Sequence, residues 1–147
     1  FSMTAATAKA MSFVSGQNFN FTLQQSGAGT LTISSTNGTF VGISNTVQPA
    51  TITFTTVGTT TFTNWNVSGT AGNLVTINST TAGSRATISK SSGTVSSDYL
   101  SIQDSGATGG ATWYAGANST NVSNNTGWIF TAPPTTNISN FFSFLTN

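Results

Sequence analysis

Four short stretches decide the fold: Thr30-Leu31-Thr32-Ile33-Ser34, Thr51-Ile52-Thr53-Phe54-Thr55, Leu74-Val75-Thr76-Ile77-Asn78 and Tyr99-Leu100-Ser101-Ile102-Gln103. Each sets apolar side chains at alternate positions, with Thr, Ser or Asn between them. That period-two alternation marks a strand with one buried and one wet face. The apolar pairs begin at 31, 52, 75 and 100, in steps of 21, 23 and 25 residues. A second column runs half a period out of phase through Phe40, Phe62, Ala86 with Ile88, and Ala111 with Trp113. Turn-forming clusters separate the columns, among them Ser35-Thr36-Asn37-Gly38 and Thr81-Ala82-Gly83-Ser84. Two in-phase columns at such a repeat predict a coiled β-solenoid. Each strand would pair with its counterpart one turn on, about 4.8 Å away, placing Leu31, Ile52, Val75 and Leu100 in one inward stack. A single turn cannot bury its apolar face, so several must stack. Short strands with regular turn signals also fit a β-sandwich or jelly roll, and periodicity alone leaves that alternative open.

Working outward, Phe19, Phe21 and Leu23 share one face of a strand and open the solenoid domain, read as residues 19–130. Residues 1–18 read as an N-terminal arm. Its Ala-rich piece from Met3 to Met11 suits a turn or two of helix or a flexible arm, with no partner strand at the solenoid period. After Ile129-Phe130, Pro133-Pro134 cannot continue a central strand. Residues 131–147 therefore read as a linker and an apolar tail. The tail's Phe141, Phe142, Phe144 and Leu145 are too apolar to leave in water and are expected to form an assembly contact.

Composition narrows the function. Only 3% of the 147 residues are charged, against about 25% in ordinary domains. The charges are Lys9, Arg85, Lys90, Asp98 and Asp104, with a net +1, so nothing attracts nucleic acid or anionic lipid. Disorder is not implied, because 36% of residues are hydrophobic and eleven are Phe. Thr favours strands, while Asn, Gly and Ser favour turns. There is no Cys to staple the fold and no His to serve as general base or metal ligand. No apolar run reaches the roughly 18 residues of a membrane-spanning helix. Asn-X-Ser/Thr triplets are as common as chance gives in so Asn- and Thr-rich a chain, and none is assigned as glycosylated.

The segment Asn64–Phe130 adds a resemblance. Its pieces FTNWNVSGTAGN, RATISK, DYLSIQDS, GGATWYAGANST and NNTGWIF are similar, in order and spacing, to a module found near the ends of right-handed parallel β-helix repeats in bacteriophage virion proteins and bacterial surface proteins. The resemblance covers nearly half the chain. It implies a right-handed parallel β-helix with a structural or display role, and supplies no catalytic site. Residues 1 to about 60 carry no such motif.

Asp98 and Asp104 are the only side-chain carboxylates. Glycosidases hold two carboxyls roughly 5–10 Å apart, but these two flank a stretch that reads as strand, spanning about 20 Å. Two carboxylates also make a poor Ca²⁺ site. They are expected to cap strand ends, paired with Arg85 or Lys90. No metal and no cofactor is expected. Trp113 and Tyr114 form a candidate carbohydrate-binding patch, since exposed rings stack on sugars. Against that, Trp113 alternates with Ala111 and Ala115 as a core strand would. Trp128-Ile129-Phe130 reads as the last turn, plugging an open apolar end. The expected function is a non-enzymatic structural component of a phage virion, a capsid-decorating, fibre or tail-associated protein. Its partners would be other virion proteins and copies of itself, and host-surface polysaccharide would be a further ligand. A secreted bacterial surface protein or adhesin, and a polysaccharide-binding or -degrading β-helix protein, are the alternatives.

Overall fold

In the computed structural model, which describes residues 2–3 and 7–135, the described residues form an all-β solenoid of about five turns. Sheet 1 holds β1 (Ser2–Met3), β3 (Asn18–Gln25), β5 (Thr39–Asn45), β7 (Thr59–Asn66), β9 (Ala86–Ser89) and β12 (Ser105–Thr108), in that spatial order. Sheet 2 holds β2 (Lys9–Phe13), β4 (Thr30–Ser35), β6 (Ala50–Phe54), β8 (Val75–Ser79), β11 (Leu100–Gln103) and β14 (Thr120–Ser123). Sheet 3 has β10 (Thr94–Ser96), β13 (Thr112–Tyr114) and β15 (Trp128–Ile129). The strand pairings within all three sheets are parallel. Early turns alternate between sheets 1 and 2. From β9 onward the chain also visits sheet 3 in each turn.

The alternation predicted from sequence is what the core uses. Leu31, Ile33, Ile52, Phe54, Val75, Ile77, Leu100 and Ile102 are all buried. Their register corrects the predicted stack, however. Leu31 pairs with Ile52, Ile52 with Ile77 and Ile77 with Ile102. Val75 lies instead between Ala50 and Leu100. Both alignments bury the same parity, so a two-residue slip is invisible to period-two reasoning. Between β7 and β8 the chain makes an excursion whose turn is closed by the Thr70–Asn73 bridge.

The second column needs two corrections. Ile88 pairs with Thr60 and Ala107, not with Phe62, and Ala86 pairs with Ser105. Trp113 belongs to sheet 3, between Val95 and Trp128. The early part holds as expected: Phe19, Phe40 and Phe62 are in direct register. Their rings stack, with centroids 4.8 Å and 5.7 Å apart and interplanar angles of 19° and 28°. Parallel pairing sets like side chains one strand apart, and that separation is close to a ring-stacking distance.

The N-terminal arm is corrected as well. Residues 9–13 are neither helix nor free arm. They form β2, paired residue for residue with β4 from Lys9–Leu31 to Phe13–Ser35. Phe13 packs on Phe19 and Phe40, 4.9 Å and 4.8 Å away. Ala-rich composition promised helix, but a short segment follows its packing surface rather than its propensity. The parallel pairing of sheet 2 therefore extends back to Lys9. Register also gives the inward column Leu31–Ile52–Ile77–Ile102 two polar neighbours, Lys9 at one edge and Asn121 at the other.

Left-handed backbone positions mark the corners. Gly16, Asn37 and Gly58 have φ of 68°, 57° and 75° at a constant step of 21 residues. Asn is among the few non-glycine residues that take this conformation readily. Asn37 Oδ1 also accepts the Thr59 N–H at 3.0 Å, tying one corner to the next.

One buried group in this region is unsatisfied. Among the described residues the Ser35 Oγ has no hydrogen-bond partner, and a Cβ on Gly38 would lie 2.0 Å from it. An orphaned buried hydroxyl costs about 1–3 kcal/mol. Ser35→Ala is therefore expected to stabilise the protein by about 1 kcal/mol, read as a higher midpoint in chemical denaturation at unchanged slope. A loss of stability would mean that the hydroxyl has a partner.

Candidate functional site

The three tryptophans of the chain are brought together. Trp65, Trp113 and Trp128 lie with ring centroids 5.2–5.9 Å apart, each pair edge to face. Each indole N–H has an acceptor: Ser97 Oγ for Trp65, the Thr108 carbonyl for Trp113 and Ser105 Oγ for Trp128. Trp113 is 2% exposed, which corrects the reading of Trp113 as a sugar-stacking ring. It is a core residue with its polar atom satisfied. Alternation along β13 turns Tyr114 outward, where it is half-buried beside the partly exposed Ile129. Of the expected plug Trp128-Ile129-Phe130, Trp128 is buried in the core while Ile129 is exposed. Trp65 was missed as a member, because it lies on sheet 1 while Trp113 and Trp128 lie on sheet 3. The tail residues Phe141, Phe142, Phe144 and Leu145 lie outside the described residues.

The carboxylates flank β11, Asp98 two residues before it and Asp104 directly after it. Asp98 accepts from the Tyr99 N–H at 2.9 Å, the Asn118 N–H at 2.9 Å and Asn118 Nδ2 at 2.7 Å. Gly116 makes room for it: a Cβ there would lie 2.4 Å from Asp98 Oδ1. Burial, the largest single influence on Asp98, pushes its pKa up. The bonds from the Asn118 side chain, the Asn118 backbone and the Tyr99 backbone outweigh it, and the net position is below the usual value.

Asp104 is buried, with a φ of 52°. It accepts from Asn124 Nδ2 at 2.6 Å and from the Gly83 N–H at 2.9 Å. These two bonds, the Asn124 one foremost, lower its pKa against an opposing effect of burial, and Arg85 adds a smaller favourable field. The expected pairing of carboxylates with Arg85 or Lys90 takes a different form. Arg85 donates to the Asn124 carbonyl and to Asn124 Oδ1, so an amide stands between cation and anion. Lys90 Nζ donates to the Thr63 carbonyl at 2.7 Å. Asn118 and Asn124 were missed from sequence; their signal was a step of 20 residues from Asp98 and Asp104.

Two further features complete the surface. A shallow cleft is lined by Asn18, Asn20, Thr39, Val41 and Thr63 over the Phe19 and Phe40 rings. Among the described residues no group of three or more Asp, Glu, His or Cys side chains converges, and no helix is long and apolar enough to cross a membrane. No protein-family model, curated protein or solved structure matches the chain.

The acid response follows from the two carboxylates. Both have folded pKa values below the unfolded value of 3.8. Their stabilising contribution is therefore complete above about 3.8 and is lost as pH falls through the folded values. With no His, Cys or Glu in the chain, the side chains predict constant stability between about pH 5 and pH 9. Thermal melts should show that plateau and an acid-side fall, and the fall should shrink in Asp98→Asn/Asp104→Asn. An acid limb unchanged in the folded double variant would contradict the assignment. Separately, Trp113→Ala is expected to cost about 3–5 kcal/mol, as for a fully buried aromatic ring; a cost under 1 kcal/mol would place Trp113 outside the core.

Proposed function

We propose that the chain is a non-enzymatic structural component of a phage virion, a capsid-decorating, fibre or tail-associated protein. It acts as a β-solenoid scaffold through contacts with copies of itself and with other virion proteins. The observation that carries this reading is the continuous parallel pairing of sheet 2 from β2 to β14, with outward faces of hydroxyl and amide groups. Such a body is stiff along its axis, because every turn is hydrogen-bonded to the next. Its scarcity of charge leaves little repulsion between closely packed copies. The likeness of residues 64–130 to a module of virion and bacterial surface proteins supports the same reading. Phe141, Phe142, Phe144 and Leu145 supply the subunit contact, since burying each such side chain gains about 1.5–3 kcal/mol.

A secreted bacterial surface protein or adhesin is the second reading. It is favoured by the outward Tyr114 beside Ile129, a ring and an apolar neighbour at the surface of sheet 3.

Mass spectrometry of density-purified phage particles separates the two. Peptides of this chain should co-purify with the particles. Their recovery only from a bacterial cell-surface fraction would sink the virion reading. Deleting Asn140–Asn147 should weaken self-association in sedimentation velocity and leave the β-sheet circular dichroism intact. Normal association of the truncated chain would remove the tail from the contact.

A further inference from the structure

The virion reading takes the outward hydroxyl and amide groups of sheet 2 only as a wet surface, yet they form a regular grid. Strand register places Thr30, Thr51, Thr76, Ser101 and Thr120 in one rank, each directly opposite the next. A second rank runs Thr32, Thr53 and Asn78. Neighbours within a rank are about 4.8 Å apart, and the two ranks are about 6.6 Å apart along the strands. From β2 to β11 the sheet keeps its register without a shift. Sheet 1 does not match this: its register shifts between β3 and β5, and its rank Thr39, Thr61, Ser89 and Thr108 ends in a hydroxyl bonded to the Ile88 carbonyl.

The side chains of the grid are held in place. Thr53 is only 8% exposed, and its Oγ1 donates to Asn78 Oδ1 at 2.6 Å. Among the described residues the hydroxyls of Thr30, Thr51, Thr76, Ser101 and Thr120 have no partner, so solvent must satisfy them.

The chemistry of the face selects its ligand. Its two ranks carry no cation for phosphate and no anion for metal. They hold no Trp, Tyr or Arg of the kind that anchors protein interfaces, and no ring on which a sugar could stack. What remains is a neutral lattice of groups that both donate and accept. Ice presents the same chemistry: neutral oxygen atoms, each donor and acceptor, at fixed repeats. We propose that this face of sheet 2 binds ice, by holding a layer of water molecules in a repeat that the crystal continues. The inference does not rest on the virion reading.

The test uses the full chain and ice itself. The protein is expected to show thermal hysteresis and to inhibit ice recrystallisation. Thr51→Tyr and Thr76→Tyr should each lower both activities at least tenfold, with the melting temperature and circular dichroism preserved. Thr61→Tyr, on sheet 1, should leave them unchanged. Should either sheet 2 variant fail to fold, fluorescently labelled wild-type chain grown into an ice hemisphere should still occupy discrete crystal planes. Absence of hysteresis and of plane-selective adsorption in the wild-type chain would overturn the proposal. So would equal losses in Thr61→Tyr and Thr51→Tyr.

Discussion

Everything in this structure depends on parallel pairing between successive turns. Once one turn is hydrogen-bonded in register to the next, each side chain sits on its counterpart about 4.8 Å away. Like then stacks on like, as Phe19, Phe40 and Phe62 do in the core and as Thr30, Thr51 and Thr76 do outside. The constraint is strict because a turn alone has almost no interior. Its apolar face becomes buried only when neighbours cover it from both sides. The aromatic trio of Trp65, Trp113 and Trp128 shows the same rule near the end of the coil, where three indoles from different turns converge.

Much of this was legible in the sequence, and the limits are instructive. Alternation found the inward residues of sheet 2 because burial follows parity. It could not distinguish Val75 from Ile77 as the partner of Ile52, because both have the right parity. The third sheet left no signal of its own, since its strands are two or three residues long. Spacing along the chain therefore puts Trp113 in the second column, where register sets it in sheet 3. Lys9–Phe13 was misplaced for another reason: Ala and Lys are poor strand formers, and only the packing of Met11 and Phe13 explains why the segment pairs. For the carboxylates, sequence reasoning correctly placed them at strand ends. It did not foresee that amides one turn away would serve them.

That last point is general to the chain. Corners are joined by side-chain amides. Asn45 accepts from the Ser68 N–H and donates to the Ser68 carbonyl. Buried Gln25 donates to the carbonyls of Gly27 and Gly29. Asn125 donates to the Ile102 carbonyl. An amide offers a donor and an acceptor without a net charge, so it can bridge two backbones at a modest desolvation cost compared with an ion. A fold cross-linked in this way has little that added salt can screen.

The polar residues at the two edges of the Leu31–Ile52–Ile77–Ile102 column bear on how long such a stack can become. A sheet with apolar terminal strands offers a template to any arriving strand, and fibres propagate in this manner. A strand docking on β2 would have to cover the Lys9 ammonium, and one docking on β14 would have to cover the Asn121 amide. Neither group gives up water without a replacement partner. The same stacking that makes the solenoid rigid thus meets a polar group at each described edge of this column, and an arriving strand must desolvate it before it can add a rung.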